Sequence, residues 1–350
     1  MSWQEKVRVV VPYVAGEQPK IQNLIKLNTN ENPYPPTPSI DTMLKSVDID
    51  LLKLYPSSNG DELVKTIANY HGLNESQVFL GNGSDEVLGL AFLTFFNGKK
   101  PILFPDVSYS FYPVYCDLFQ IPYQLVPTDE YFKIDMDCFN QPNDGIVITN
   151  PNAPSGLGEN VKVIEKVIKN NPNSIVIVDE AYIDFGGQSC LEILNKYENL
   201  LIIQTCSKSR SLAGIRVGMA FGHESVISKL YDVKNSFNSY PLDHLSQAIA
   251  KLSFEDDKYF QDSIKKIIVT RNNTIKQLKK LGFQVIDSQA NFIFVKHPSY
   301  QGESLYQLLR DNSILVRHWN KPKIDQYLRI TIGTDQQMEK MIEVFKTKLK

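Results

Sequence analysis

Residues 174–221 read SIVIVDEAYIDFGGQSCLEILNKYENLLIIQTCSKSRSLAGIRVGMAF, and three strand-like runs within them decide the fold. Ser174–Val178, Leu200–Thr205 and Val217–Phe221 are apolar nearly throughout, whereas a strand with one wet face alternates. Such runs suit a sheet covered on both sides. Two more, Ile102–Phe104 and Gly145–Thr149, precede them, bounded by Pro, Asn, Asp and Gly. Between Gly145–Thr149 and Ser174–Val178, the residues Val161, Ile164, Val167 and Ile168 recur at helical spacing. That makes a βαβ unit, so the expected fold class is α/β, with a large domain built on a mostly parallel sheet.

The ends of these runs carry chemistry. Ser174–Val178 leads directly into Asp179-Glu180-Ala181-Tyr182, which puts an acid at the carboxyl end of a buried strand, where open α/β sheets bind ligands. Leu200–Thr205 leads into Cys206-Ser207-Lys208-Ser209. Lys208 thus sits three residues past a strand end between two hydroxyls, and Arg216 follows eight residues later, before a glycine-punctuated strand. An amine and an anion clamp are brought near one point.

Upstream, Gly81-Asn82-Gly83-Ser84-Asp85-Glu86 feeds a helix expected from about Asp85 to Phe96, with Ser84 as its N-cap. The free amides of that helix start could cradle a phosphate. As a dinucleotide fingerprint the loop fails, because Glu86 stands where a third glycine belongs, and the acidic pair would repel phosphate unless its side chains turn away. Further upstream, Asn32–Pro38 packs four prolines into seven residues and reads as an extended connector. Beyond about Tyr240 the texture changes. Ile264, Ile267, Ile268, Ile275, Leu278 and Leu281 form a helical stripe ending at Gly282, and strand-like Asn291–Val295 and Leu328–Ile332 flank a helical stretch near Leu305–Leu309. The expected division is a large domain over residues 30–240 and a smaller α+β domain made of residues 1–29 and 241–350.

Composition narrows the function. The 350 residues are 42% apolar and 22% charged, which excludes a disordered or fibrous chain. Thirty-seven Lys and Arg against 39 Asp and Glu leave a net charge of −2, with no basic field for nucleic acid or an anionic membrane. The densest apolar run, Val87–Phe96, is too short to span a bilayer. Pro12 interrupts the apolar N-terminal run and no cleavage pattern follows it, so the expected location is cytoplasmic. Cys116, Cys138, Cys190 and Cys206 form no CxxC pair, which fits a reducing compartment. The five histidines, His71, His223, His244, His297 and His318, lack ligand spacing, and no metal is expected.

Seven motifs in order then carry a resemblance: Leu27-Asn28-Thr29-Asn30-Glu31-Asn32-Pro33, Leu54-Tyr55-Pro56, Gly83-Ser84-Asp85-Glu86, Pro151-Asn152-Ala153-Pro154-Ser155-Gly156, Asp179-Glu180-Ala181-Tyr182, Ser207-Lys208, and Leu328-Arg329-Ile330-Thr331-Ile332-Gly333. Over nearly its whole length the chain resembles the fold-type I pyridoxal-phosphate aminotransferases and, within them, is similar to histidinol-phosphate aminotransferases. The resemblance implies an aspartate-aminotransferase-like fold, pyridoxal 5'-phosphate as cofactor and a homodimer. In it Lys208 carries the cofactor covalently and shuttles a proton, Asp179 pairs with the pyridine nitrogen, and Tyr182 bonds the ring oxygen. Arg216, Thr205 and Ser207, with backbone amides at Ser84 and Asp85, hold the cofactor phosphate, and Tyr109 stacks on the ring. Tyr55 reaches that phosphate from the partner subunit. Arg329 clamps the substrate anion, and Arg317 and Tyr13 are further candidates for a substrate phosphate. Where the family commonly has Asn before Pro-Thr-Gly, this chain has Ala153, so Asn152 becomes the candidate donor to the ring oxygen.

The implied reaction converts L-histidinol phosphate and 2-oxoglutarate into 3-(imidazol-4-yl)-2-oxopropyl phosphate and L-glutamate, in histidine biosynthesis. An aromatic amino-acid aminotransferase and a threonine-phosphate decarboxylase share these motifs. A catalytically silent α/β ligand-binding protein is the alternative of another class, and the presence of Lys208, Asp179 and Arg216 argues against it.

Overall fold

A computed structural model describes residues 2–20 and 22–349. Its centre is a seven-stranded sheet of β1 (Val78–Asn82), β2 (Ile102–Pro105), β3 (Tyr123–Val126), β4 (Gly145–Thr149), β5 (Val176–Asp179), β6 (Leu200–Thr205) and β7 (Val217–Gly222), in the spatial order β1-β7-β6-β5-β4-β2-β3. β7 runs antiparallel to both neighbours, and the strands β6-β5-β4-β2-β3 are parallel. The mostly parallel sheet expected from the apolar runs is therefore present. β4 to β7 are buried at every residue, because helices cover both faces. One face packs with Ile164, Ile168, Ile202 and Phe221, the other with Phe79, Leu88, Phe92 and Ile203. β1 and β3 lie at the edges; β1 is buried at its first four residues. Tyr123, Gln124 and Leu125 of β3 are exposed.

α1 (Gly83–Phe95) begins two residues earlier than expected, with Asn82 instead of Ser84 at the N-cap position. Gly83 has φ +76°, a turn that an L side chain resists, and it swings the chain from β1 straight into the helix. Opposite it, a Cβ on Gly218 would collide with the backbone of Gly83 and Ser84. We expect Gly218→Ala to cost about 1–3 kcal/mol by overpacking and to loosen whatever binds at the α1 start. Chemical denaturation and ligand-retention measurements check both effects.

A second sheet holds β8 (Gln284–Ile286), β9 (Phe292–Lys296), β10 (Arg317–His318) and β11 (Leu328–Thr331), all antiparallel, in the order β10-β11-β9-β8. Its core includes Phe292, Ile330, Met341 and Phe345, closed by the helices Asp257–Lys280 and Asp335–Lys348. Leu27, following the parallel pair Ile25–Lys26 with Ile314–Leu315, joins this core. The helix His244–Glu255 packs through Ile249, Ala250 and Phe254 into the core on one face of the large sheet. No helix among the described residues is long and apolar enough to cross a membrane.

Candidate active site

The carboxyl ends of β4, β5 and β6 and the start of α1 open onto a cavity of about 310 Å³ that β10 and β11 close from the other side. Eleven residues expected from sequence line it: Ser84, Asp85, Tyr109, Asp179, Tyr182, Ser207, Lys208 and Arg216 from the large sheet's loops, with Tyr13, Arg317 and Arg329 across from them.

Asp179 ends β5 and is only 3% exposed. Burial raises its pKa to about 6, although Tyr112 Oη donates to Oδ2 at 2.7 Å and the Ala181 amide to Oδ1 at 3.1 Å. A cation or N–H donor placed beside it would restore its charge. Lys208 follows β6 and donates to Thr29 O at 3.3 Å. Burial, then the nearby Arg329 charge, lower its pKa to about 8. About a tenth of the amine is then neutral at pH 7, far more than for an ordinary lysine. The sign of the pH dependence follows. Covalent uptake of a small aromatic aldehyde by Lys208 should rise about tenfold per unit up to pH 8 and then flatten. Stopped-flow absorbance checks this, and a rise continuing to pH 10 would mean an unperturbed amine.

The acidic pair at the α1 start is disarmed. Glu86 turns back to accept from the Asn82 amide at 2.5 Å, while Asp85 pairs with Arg216 at 3.0 Å and accepts from Tyr109 Oη at 2.9 Å. The first-turn amides of α1 and the Arg216 guanidinium therefore face one point, which suits an anion. Tyr182 Oη accepts from Asn30 Nδ2 at 3.0 Å.

Arg329 donates to Asn28 O at 2.8 Å and lies between Phe292 and Trp319, its guanidinium carbon 5.4 and 5.2 Å from their ring centroids. Its Nε has no partner. Arg329 also lines the cavity, where a guanidinium suits an anion. Arg317 donates to Val14 O and Ala15 O at 3.3 and 3.5 Å, and Tyr13 stacks on Phe111 at 4.7 Å.

Three expected residues are not on the cavity wall. Asn152 gives one Nδ2 hydrogen to Val107 O at 2.9 Å and its Oδ1 accepts from Ser108, while Ala153 lines the wall there. Thr205 spends its hydroxyl on Ser207 Oγ and Val217 O, which makes it an orienter of Ser207. Tyr55 is 80% exposed and stacks on Tyr240 at 4.6 Å, outside the cavity of its own chain. Conversely, Asn30, Glu31, Ser108, Thr149 and Trp319 line the cavity without having been singled out for this role. Asn30 and Glu31 lie in a motif, LNTNENP, that could have flagged them. Glu31 is held by Lys26 at 2.6 Å.

The profile of Aminotransferase class I and II matches residues 22–345. The histidinol-phosphate aminotransferase of Lactococcus lactis subsp. cremoris (strain SK11) is 55% identical over 350 residues, covering 100% of this chain and 98% of that protein. The chain belongs to the histidinol-phosphate aminotransferase family. Among solved structures, the histidinol-phosphate aminotransferase from Clostridium acetobutylicum superposes with a TM-score of 0.84 at 26% identity, covering 93% of this chain and 98% of that one. The Sinorhizobium meliloti histidinol-phosphate aminotransferase, solved in complex with pyridoxal-5'-phosphate, superposes with a TM-score of 0.83 at 19% identity, over 92% and 91% of the two chains. The fold is thus that of the aspartate-aminotransferase-like, fold-type I enzymes.

Proposed function

We propose that the protein transfers the amino group of L-histidinol phosphate to 2-oxoglutarate, giving 3-(imidazol-4-yl)-2-oxopropyl phosphate and L-glutamate, with pyridoxal 5'-phosphate as cofactor. The observation that carries this reading is the convergence of the Lys208 amine, the buried Asp179 carboxylate and two guanidinium groups, Arg216 and Arg329, on one cavity. The residues fit the cofactor. Asp179 presents a carboxylate that needs an N–H partner. The close-packed glycines Gly83 and Gly218 leave the α1 amides clear beside Arg216 and Ser207 for a phosphate. Tyr182 offers its phenol to the ring oxygen and Tyr109 offers an aromatic face.

When bound, pyridoxal phosphate supplies an electron-accepting ring and the aldehyde carbon that takes up the amino group. Asp179 holds the proton on the ring nitrogen. Lys208 Nζ, neutral at little cost, takes the proton from the substrate's amine-bearing carbon and delivers it again one step along. Arg329 holds the anionic end of either substrate, and Phe292 and Trp319 keep its plane fixed.

Arg329→Lys should raise KM for histidinol phosphate and for 2-oxoglutarate alike, each by about tenfold or more, since a charge-assisted bond is worth ~1.5–3 kcal/mol. Steady-state kinetics on both substrates decides. A rise for only one would mean separate anion sites, with Arg317 and Tyr13 serving the phosphate.

The working unit of this reading is a homodimer. Ile49, Leu51, Leu52, Leu54, Tyr55 and Phe237 are exposed apolar side chains that one subunit leaves uncovered. With Tyr55 serving the neighbouring site, Tyr55→Phe should weaken cofactor retention. Hybrids of that variant with Lys208→Ala should regain one normal site, and hybrids that hold cofactor no better than the Tyr55→Phe dimer would put Tyr55 in its own chain's site. Four unpaired cysteines support a reducing, cytoplasmic location. The direct test of the reaction is glutamate formation from histidinol phosphate and 2-oxoglutarate. One glutamate per donor consumed supports it, and none overturns it.

A further inference from the structure

Behind Asp179, on the side away from Lys208's loop, runs a row of side-chain oxygens that the reaction described above leaves idle. Tyr112 Oη lies 2.7 Å from Asp179 Oδ2 and 2.7 Å from Thr149 Oγ1. Thr149 Oγ1 lies 2.8 Å from Ser108 Oγ, which donates to Asn152 Oδ1 at 3.0 Å. The row is built into the fold. Thr149 closes β4 in register with Asp179 on β5, and Tyr112, with no exposed surface, opens the helix Tyr112–Phe119 against Phe92 and Phe104.

The hydrogens in this row can be counted. Asn152 is oriented by the Val107 carbonyl, which takes its Nδ2 hydrogen, so Oδ1 is an acceptor and the Ser108 hydrogen is committed to it. Tyr112 donates to Asp179. Thr149 is then left with one hydrogen for two oxygen neighbours, and one short contact has none. The shortage disappears if Asp179 carries a proton that it donates to Tyr112 Oη, Tyr112 turns its hydrogen to Thr149 and Thr149 donates to Ser108. The direction of the Tyr112 hydroxyl and the protonation of Asp179 are thereby linked.

We propose that Tyr112 is a positioning residue that turns its hydroxyl between Asp179 and Thr149, so that the row Thr149, Ser108 and Asn152 sets how strongly Asp179 competes for the proton it shares with the cofactor's ring nitrogen. The proposal rests on the reading of this cavity as a pyridoxal-phosphate site. Tyr112 does not line the cavity, and its hydroxyl reaches the site through Asp179 and Thr149. The other ionisable groups around Asp179 are Asp85 from α1, Tyr115 from the Tyr112 helix, Tyr182, and Lys208 after β6. None of them hydrogen-bonds its carboxylate, whereas Tyr112 does. Loss of the phenol makes the carboxylate a stronger base, draws the shared proton toward it and leaves the ring a poorer electron acceptor.

The test is Tyr112→Phe, purified as holoenzyme with pyridoxal phosphate labelled with 15N in the ring. The ring-nitrogen resonance should move toward its unprotonated position and kcat should fall about tenfold, as for one lost bond to a charged group, while KM for histidinol phosphate stays within about twofold. An unmoved resonance overturns the proposal, whatever happens to kcat, because a purely structural role would lower stability and leave the ring's proton alone. Thr149→Val guards against a Tyr112 variant that fails to fold. It removes the hydroxyl to which Tyr112 turns, so the resonance must differ from that of the parent enzyme, and identity with the parent also overturns the proposal. The resonance needs no substrate, so a parent enzyme that makes no glutamate while its variants still shift would sink the functional reading and leave the relay standing.

Discussion

Lys208→Ala should lower turnover by about 10⁴-fold or more while the folded state survives. The change removes both the amine that holds the cofactor and the carrier of the proton, and general acid–base catalysis alone is worth up to about 10⁴. It does not empty a packed core. Lys208 Nζ makes a single 3.3 Å bond to Thr29 O, and burial already disfavours its charge, so losing it relieves a desolvation cost. Activity should vanish with an unchanged or higher melting temperature. A variant that keeps kcat within tenfold of the parent would remove Lys208 from the chemistry.

Asp179→Ala should cost about 10²–10³ in kcat, the range for removing a preorganised charge from a buried site. What the ring nitrogen needs is a nearby negative charge, so Asp179→Glu should lose much less. The geometry sharpens the contrast. In the alanine variant the Ala181 amide loses its acceptor in a dry interior while the Tyr112 hydroxyl turns to Thr149, so stability should also fall, by about 1–3 kcal/mol for the one group left unpaired. Glutamate keeps an acceptor within their reach. Kinetics and denaturation of the two variants side by side decide, and equal kcat losses would show that the charge is irrelevant.

What could be read from the residues follows a physical line. Ser174–Val178 and Leu200–Thr205 announced themselves because strands covered on both faces must be apolar throughout, and Asp179 and Lys208 because each stands just past such a strand. The edge strand Tyr123–Val126 did not, since it is exposed at three of its four residues and needs no continuous apolar run. The helix His244–Glu255 looks amphipathic from either side, and only packing shows that Ile249 and Phe254 face the large sheet. Within the site, a local motif marks a residue but not the direction of its side chain. Asn152 sits in Pro-Asn-Ala-Pro-Ser-Gly, yet the carbonyl of Val107, 45 positions away, claims its amide. Thr205 is likewise claimed by Ser207 and Val217. Tyr112 and Trp319 were invisible for the opposite reason. Their partners, Asp179 and Arg329, lie 67 and 10 residues away in sequence, and no spacing links them before the sheets form.

What the proposed reaction asserts most specifically is that the cavity lined by Lys208 and Arg329 takes an amino donor ending in a phosphate. The measurement closest to it is kcat/KM of the purified holoenzyme for L-histidinol phosphate against L-phenylalanine and O-phospho-L-threonine, each with 2-oxoglutarate, following glutamate and released carbon dioxide together. Histidinol phosphate should be the preferred amino donor, with glutamate formed one for one and no carbon dioxide. Preference for phenylalanine, or carbon dioxide released from phosphothreonine in place of glutamate, would contradict it.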